Sequence, residues 1–313
     1  MRFPWESARS GRALRRRAPR GAAQWLRYYQ QLRRLPRSTR WLLLLVVIGG
    51  GGGYYALELH WREGHAYAGV PQVQQWHNWQ TWHRVLRNEG YMVGYSGLRR
   101  NPLWVSYRLE ATPHGPTGSR PSRFTQDARI LLPWWQVSHD DYTGSGYDRG
   151  HLAPNYAMAR VHGRDAQLAS FLMTNISPQT PNLNRRVWQR IEQSAMDHFV
   201  QIKGEVWVTT GPVFSAEPKY LESGVEIPEA FYKIFVAPPQ GERPLKSLAF
   251  LVPQTVRGDE PLAQFLVSIR EIEERTGLNF LHRLPHEQQE QLETTIHPAP
   301  WRLEEVSQRA ALY

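Results

Sequence analysis

Asp141-Tyr142-Thr143-Gly144-Ser145-Gly146-Tyr147-Asp148-Arg149-Gly150-His151-Leu152-Ala153-Pro154-Asn155 is the stretch from which the rest of the chain is read. At its centre a guanidinium (Arg149) stands two residues before an imidazole (His151), with Gly150 between them. A neutral imidazole takes up a proton near physiological pH. A guanidinium can hold a phosphate oxygen with two donors, and a glycine lets the backbone come close to a substrate. Farther along come Thr174-Asn175-Ile176-Ser177-Pro178-Gln179 and then Asn182-Leu183-Asn184-Arg185-Arg186-Val187-Trp188-Gln189-Arg190-Ile191-Glu192. The three blocks supply a base (His151), a cation (Arg149), amide oxygens (Asn175, Asn184) and a carboxylate (Glu192). Those are the parts needed to hydrolyse a phosphodiester with one hard metal ion. A four-residue match is modest by itself, and the second block at a suitable distance gives it weight.

The second block reads as a helix, Asn182–Phe199, with Asn182 after Pro181 as its cap. Asn184 then falls in the first turn. Its amide oxygen is a neutral hard donor, suited to Mg²⁺ that keeps most of its waters. Asn184, Trp188 and Glu192 are spaced i, i+4, i+8, which makes one stripe. Glu192 lies about 12 Å along the axis from Asn184 and leans toward the helix start. It therefore acts on the hydration of the metal rather than on the ion, unless it is a solvated charge paired with Arg190. Trp188 is a core residue. Arg185, Arg186 and Arg190 either track a phosphate backbone or form an exposed helix face.

On these residues the chain resembles the DNA/RNA non-specific endonuclease family, which includes secreted bacterial nucleases and mitochondrial endonuclease G. The likeness runs from about Arg84 to Leu284. It includes Arg87-Asn88-Glu89-Gly90-Tyr91-Met92-Val93-Gly94-Tyr95, Leu103-Trp104-Val105-Ser106-Tyr107, Thr210-Gly211-Pro212-Val213-Phe214 and Pro228-Glu229-Ala230-Phe231-Tyr232-Lys233-Ile234. The resemblance implies an α+β fold, with a ββα-metal finger set in a mixed or antiparallel sheet and flanked by helices. It implies His151 as the base and Asn184 as the ligand of Mg²⁺, for which Mn²⁺ substitutes. Arg149, Glu192 and Asn175 complete the expected catalytic set, Asn175 as an orienting group. An arginine upstream of the finger stabilises the transition state in this family. Arg120 and Arg123 both qualify in Ser119-Arg120-Pro121-Ser122-Arg123-Phe124, and their spacing does not decide. Arg123 stands with Arg185 and Arg186 in the expected substrate-binding set. The implied activity is metal-dependent, sequence-non-specific cleavage of DNA and RNA, with a homodimer as the implied assembly. The alternative is a catalytically silent nucleic-acid-binding or assembly module of the same fold.

The 313 residues suffice for one large domain and an appendage, and the absence of Cys excludes disulfides, Cys-held zinc and a Cys nucleophile. The net charge of +10 is unevenly placed. Residues 1–40 hold 12 arginines and one acid, Glu6, which leaves 26 basic against 27 acidic residues in the rest. The basic character thus belongs to the tail. Trp41 to Leu57 is 17 residues without a charge, bracketed by Trp41 and by Tyr54 and Tyr55. Arginines precede it and Glu58 follows, so the positive-inside rule puts residues 1–40 in the cytoplasm and the remainder across a membrane. The expected location is a bacterial inner membrane, with the catalytic part on the periplasmic side. The alternatives are a mitochondrial inner membrane behind an Arg-rich transit sequence, or secretion after signal cleavage.

The expected organisation is an Arg-rich tail (1–40), a transmembrane anchor (41–58), a linker helix (59–83), the endonuclease domain (84–284) and a loosely ordered polar tail (285–313). The linker helix rests on the helical spacing of Trp76, Trp79 and His83. Strand-like runs are Leu103–Leu109, Phe171–Ile176, Glu205–Thr210, Phe231–Val236 and Ser247–Val252. Arg164–Ser170 and Leu262–Thr276 read as further helices. Strands and helices do not alternate strictly, so α+β fits better than a doubly wound sheet.

Overall fold

The computed structural model describes residues 33–111 and 118–310. Most of the Arg-rich tail therefore lies outside the described residues. The chain divides into two units, Met1–Glu58 and Leu59–Tyr313. Helix α1, Arg37–Glu63, contains the whole expected anchor and its five consecutive glycines. It is long and apolar enough to cross a membrane by length and composition.

The second unit is built on one seven-stranded antiparallel sheet. Its strands are β1 (Arg84–Asn88), β2 (Tyr91–Ser96), β3 (Asn101–Glu110), β6 (Glu205–Val213), β7 (Ala230–Ala237), β8 (Lys246–Pro253) and β9 (Leu266–Val267), in the spatial order β9-β8-β7-β6-β3-β2-β1. The intervening β4 (Asp148–His151) and β5 (Ile176–Gln179) form a separate two-stranded ribbon that pairs Asp148 with Gln179 and Gly150 with Ser177. All eight residues of β7 are buried, so both faces of the sheet centre are covered. Alternation along a strand sends side chains to opposite faces. Phe231 and Phe235 pack with Val187, Trp188 and Ile191 on one face. Tyr232 and Ile234 pack with Ile269 and Ile272 on the other. The α+β architecture expected from the sequence is what forms.

The first face is covered by the helix that carries Asn184 and Glu192. This helix, α3, runs over 183–203 in four joined pieces: π-wound Leu183–Trp188 and Ala195–Phe199, and α-wound Gln189–Ser194 and Val200–Lys203. Arg164–Ala169 is α2, Ile269–Thr276 is α4 and His286–Thr294 is α5. Asn182 is not a side-chain cap. It is itself helical (φ −65, ψ −40) and makes no capping bond.

Four sequence expectations give way here. Residues 64–83 are not helical beyond a short 3₁₀ turn, Trp79–Thr81, whose cap is Asn78. Gly69 at φ +99 and Pro71 stop any continuation. Phe171–Ile176 is not a strand: Met173–Asn175 is a 3₁₀ turn, and β5 begins only at Ile176. A short run buried on every side has no periodicity that separates the two. Leu262–Thr276 is broken by β9, and Ser268 restarts the helix by accepting from Glu271 N. The stretch after 285 is not a loose tail, because α5 forms and Trp301, Leu303 and Val306 are buried in the core.

Candidate active site

The β4–β5 ribbon and the start of α3 enclose one side of a cavity of about 670 Å³, lined among others by Arg120, Arg149, His151, Asn184, Arg185 and Glu192. The two sequence blocks thus meet in space. Gly150 is required where the ribbon closes, because a Cβ there would run into the Gln179 side chain.

His151 ends β4 with its ring wedged between Phe124, at 5.1 Å between centroids, and Phe171, at 5.0 Å. Its Nε2 is buried without a hydrogen-bond partner. Burial, reinforced by the Arg120 charge, pushes the imidazole pKa down to about 3. The ring is therefore neutral at physiological pH, which is the form a proton acceptor needs.

Arg149 is fixed before any substrate arrives. Its Nε and one terminal nitrogen donate to the His139 carbonyl at 2.9 and 2.6 Å, and the same terminal nitrogen reaches Thr143 Oγ1 at 3.2 Å. Only the other terminal nitrogen is left for a phosphate, so the fork grip through two nitrogens expected from the sequence is reduced to the two N–H groups of one nitrogen.

Asn184 donates through Nδ2 to Asp148 Oδ2 at 2.9 Å, which orients the amide and leaves its oxygen available to a cation. Asp148 also pairs with Arg185, at 2.6 Å. Burial pushes the Asp148 carboxyl up, but the bonds from Arg185 and Asn184 outweigh it and hold the group below its usual range. Among the described residues no three His, Cys, Asp or Glu side chains gather to hold a metal. A single oriented amide oxygen fits a cation that retains its waters and is completed by substrate phosphate.

Glu192 does not pair with Arg190. Its carboxylate accepts from Lys233 Nζ at 2.9 Å. Lys233 is 0% exposed, and its ammonium lies 4.3 Å from the Trp188 ring centre. Lys233 is the site residue that sequence reasoning missed. The signal was a lone cation in the apolar run Phe231-Tyr232-Lys233-Ile234-Phe235, since lysine is almost never fully buried unless paired.

Four other expectations are corrected by position. Asn175 is fully buried outside the cavity lining. Its Oδ1 accepts from Ala153 N at 2.9 Å, and its Nδ2 donates to the Ala153 and Ser170 carbonyls at 3.0 and 2.9 Å. It braces the backbone after His151 and does not touch the reaction space. Arg123 pairs with Asp140 at 3.1 Å on the surface, outside the lining, whereas Arg120 lines the cavity with its guanidinium over Phe171. Of the two upstream candidates Arg120 is the one in place. Arg186 packs along Gly258, away from the cavity that Arg185 lines. Arg190 is buried and donates to the Glu260 and Ser307 carbonyls at 2.8 and 2.7 Å, so it anchors the C-terminal segment instead of tracking a backbone.

Arg120→Ala is expected to lower the cleavage rate by about 10²-fold, the scale of losing one preorganised donor to a developing charge. Arg123→Ala should leave the rate near wild type. Steady-state cleavage by the two variants decides the assignment, and the reverse order would return the role to Arg123.

Residues 71–287 match the family model described as DNA/RNA non-specific endonuclease. A nuclease from the cyanobacterium Nostoc is 30% identical over 219 residues, which cover 68% of this chain and 78% of that protein. Nuclease C1 of Cunninghamella echinulata is 31% identical over 218 residues, covering 64% of this chain and 83% of that protein. Human mitochondrial endonuclease G is 30% identical over 214 residues, covering 63% and 69%. The fold matches a crystal structure of an EndoG/EndoGI complex at TM-score 0.61 and 24% identity, covering 71% of this chain and 91% of that one.

Proposed function

Because the chain belongs to the DNA/RNA non-specific endonuclease family, we propose that the cavity between the β4–β5 ribbon and α3 is where it hydrolyses the phosphodiester bonds of DNA and RNA. One observation carries the reading: a neutral, walled-in imidazole and an oriented amide oxygen line the same cavity as three arginines.

With His151 Nε2 buried, the ring reaches the cavity by its other edge, so the base is Nδ1. The proton of the neutral tautomer then stays on the buried Nε2. A water loses its proton to Nδ1 as its oxygen bonds to phosphorus. The phosphorus–leaving-oxygen bond breaks, and the leaving oxygen takes a proton from solvent. Arg149 and Arg120 hold the phosphoryl oxygens as charge builds on them. The Asn184 amide oxygen would hold Mg²⁺, or Mn²⁺ in its place, and such an ion would supply positive charge to stabilise the transition state. Glu192, locked by Lys233, offers a fixed carboxylate that accepts hydrogen bonds from water in the cavity. The arginines that line the cavity are suited to phosphates rather than to base edges, which fits cleavage without sequence preference.

Nicking of supercoiled plasmid and degradation of RNA, each with and without EDTA, test the proposal. Cleavage that survives chelation removes the metal role. A protein that binds both nucleic acids and cuts neither is the silent module instead. Asn184→Ala should shift the Mg²⁺ titration of cleavage to higher concentration while DNA binding holds, and an unchanged titration places the ligand elsewhere.

Arg185 lines the cavity and Arg186 does not, so they should separate in salt dependence. Arg185→Ala should flatten the plot of log binding constant against log salt by about one unit, the release of one phosphate contact. Arg186→Ala should leave the slope alone. Equal slopes for both would place both outside the phosphate track.

The apolar helix α1 is assigned as a retained anchor in a bacterial inner membrane, with the catalytic unit in the periplasm, on the strength of the arginines before it. A mitochondrial inner membrane is the competing location, and the mitochondrial names of several relatives support it. Secretion after signal cleavage requires loss of α1, which the size of the mature protein reveals. A homodimer is the expected assembly.

A further inference from the structure

The outer edge of the sheet carries a surface that the nuclease reaction does not use. Strand β1 ends the sheet, and among the described residues its outer side has no partner strand. Exposed tryptophans flank both ends of this edge. At one end Trp61, in the last turn of α1, stacks with the exposed Arg87 guanidinium at 5.1 Å. At the other end Trp76, Trp79 and Trp82 are 82%, 55% and 53% exposed. Trp82 Nε1 donates to the Trp76 carbonyl at 2.8 Å, which ties these three into one short turn. A neighbouring loop adds Leu131 and Trp134, 79% and 66% exposed. That loop is held along the edge by Arg84 donating to the Arg129 carbonyl at 2.8 Å and Arg129 donating to the Arg87 carbonyl at 2.5 Å.

We propose that this β1 edge lies on the lipid–water interface of the membrane that α1 enters, as a second membrane contact of the catalytic unit. The inference rests on the membrane reading of α1. Two features favour a bilayer over another protein. Trp61, which stacks on Arg87 at this edge, follows the apolar segment ending at Leu57 by only four residues, so the edge is tied by sequence to the point where the chain leaves the membrane. Apart from Leu131, its apolar groups are indoles, set beside the exposed residues Arg84 and Arg87 and not in a contiguous aliphatic patch. Tryptophan places an apolar ring and a polar N–H at headgroup depth, and arginine pairs with lipid phosphates while its stem stays in contact with apolar material. None of the cavity-lining residues belongs to this edge, so the contact leaves the catalytic cleft open to nucleic acid.

The chain has no cysteine, so a single introduced one is labelled uniquely. His77→Cys and Leu131→Cys, carrying a polarity-sensitive fluorophore, report on the surface. Val46→Cys reports on the anchor, and Ile296→Cys, exposed beside the β8–β9 side of the sheet, is the control. The full chain is reconstituted in phosphatidylcholine–phosphatidylglycerol vesicles containing lipids spin-labelled at the headgroup or in the acyl chain. The expected result is strong quenching at Val46 by the acyl-chain label, strong quenching at His77 and Leu131 by the headgroup label, and none at Ile296. A quenched Val46 with unquenched His77 and Leu131 keeps the anchor and overturns the surface contact. An unquenched Val46 overturns the anchor reading and the contact with it. Self-quenching at His77 that grows with protein density and ignores the spin labels shows a second copy covering the edge, and also overturns the proposal.

Discussion

His151→Ala loses cleavage by about 10² to 10⁴-fold, the usual range for removing a general base, while binding of DNA stays near wild type. The substitution opens space next to Phe124 and Phe171 but removes no hydrogen bond, because Nε2 makes none. The fold should therefore survive, and circular dichroism with a thermal melt checks that it does. Retention of more than about a tenth of the rate would remove His151 from the role of base. The same residue fixes a pH signature. Its pKa is near 6.5 in the unfolded chain and about 3 in the folded one. Between those values the unfolded chain binds the extra proton, so stability rises with pH through the window and is lost as pH falls from 6.5 toward 3. Wild type should lose more stability than His151→Gln over that acidification. For the same reason the acid limb of the pH–rate profile should fall well below 6.5. A limb at 6.5 would mean an imidazole in ordinary contact with water, and the walled-in geometry would be wrong.

The residues of the candidate site were largely legible in the sequence because they lie in two short segments. Asp148–His151 and Asn184–Glu192 each carry their groups at fixed local spacing, and the cavity brings together His151, Arg149, Asn184 and Glu192 as read. What was not legible depends on contacts between distant segments. Arg120 and Arg123 differ by three positions in a loop, and only the packing of Phe124 and Phe171 around His151 puts one guanidinium in the cavity and the other on Asp140. Arg190 looks like its neighbours Arg185 and Arg186 on the helix. Its fate was set by carbonyls 70 and 117 residues away. The C-terminal segment reads as polar, yet three apolar residues, Trp301, Leu303 and Val306, are enough to bury it. The linker shows the opposite error. The helical spacing of Trp76, Trp79 and His83 suggested a linker helix where there is only a short turn with exposed tryptophans.

Lys233→Met is the second large effect, and it separates stability from catalysis. Wild type holds an ammonium at 0% exposure against one carboxylate and one indole ring. Burial drives the Glu192 pKa up and the Lys233 pKa down, and each group's charge opposes the other's shift. Removing the lysine strands the carboxylate on the cavity wall. Breaking a buried pair in this way costs about 3–5 kcal/mol. The lower end applies here, because 20% of the Glu192 side chain still meets solvent. Methionine fills the lysine volume, so little of the cost comes from a cavity. Chemical denaturation should show the loss, and cleavage should fall with it as Glu192 takes up a proton or swings away from Asn184. The double variant Lys233→Met/Glu192→Gln tells the two effects apart. With no charge left to strand, it should recover most of the lost stability. Cleavage should stay low, because the fixed carboxylate is still missing. If cleavage returned together with stability, Glu192 would be a packing residue and the Lys233 pair a feature of the core alone. If Lys233→Met instead left both stability and rate untouched, the ammonium would not be what holds Glu192 in place on the cavity wall.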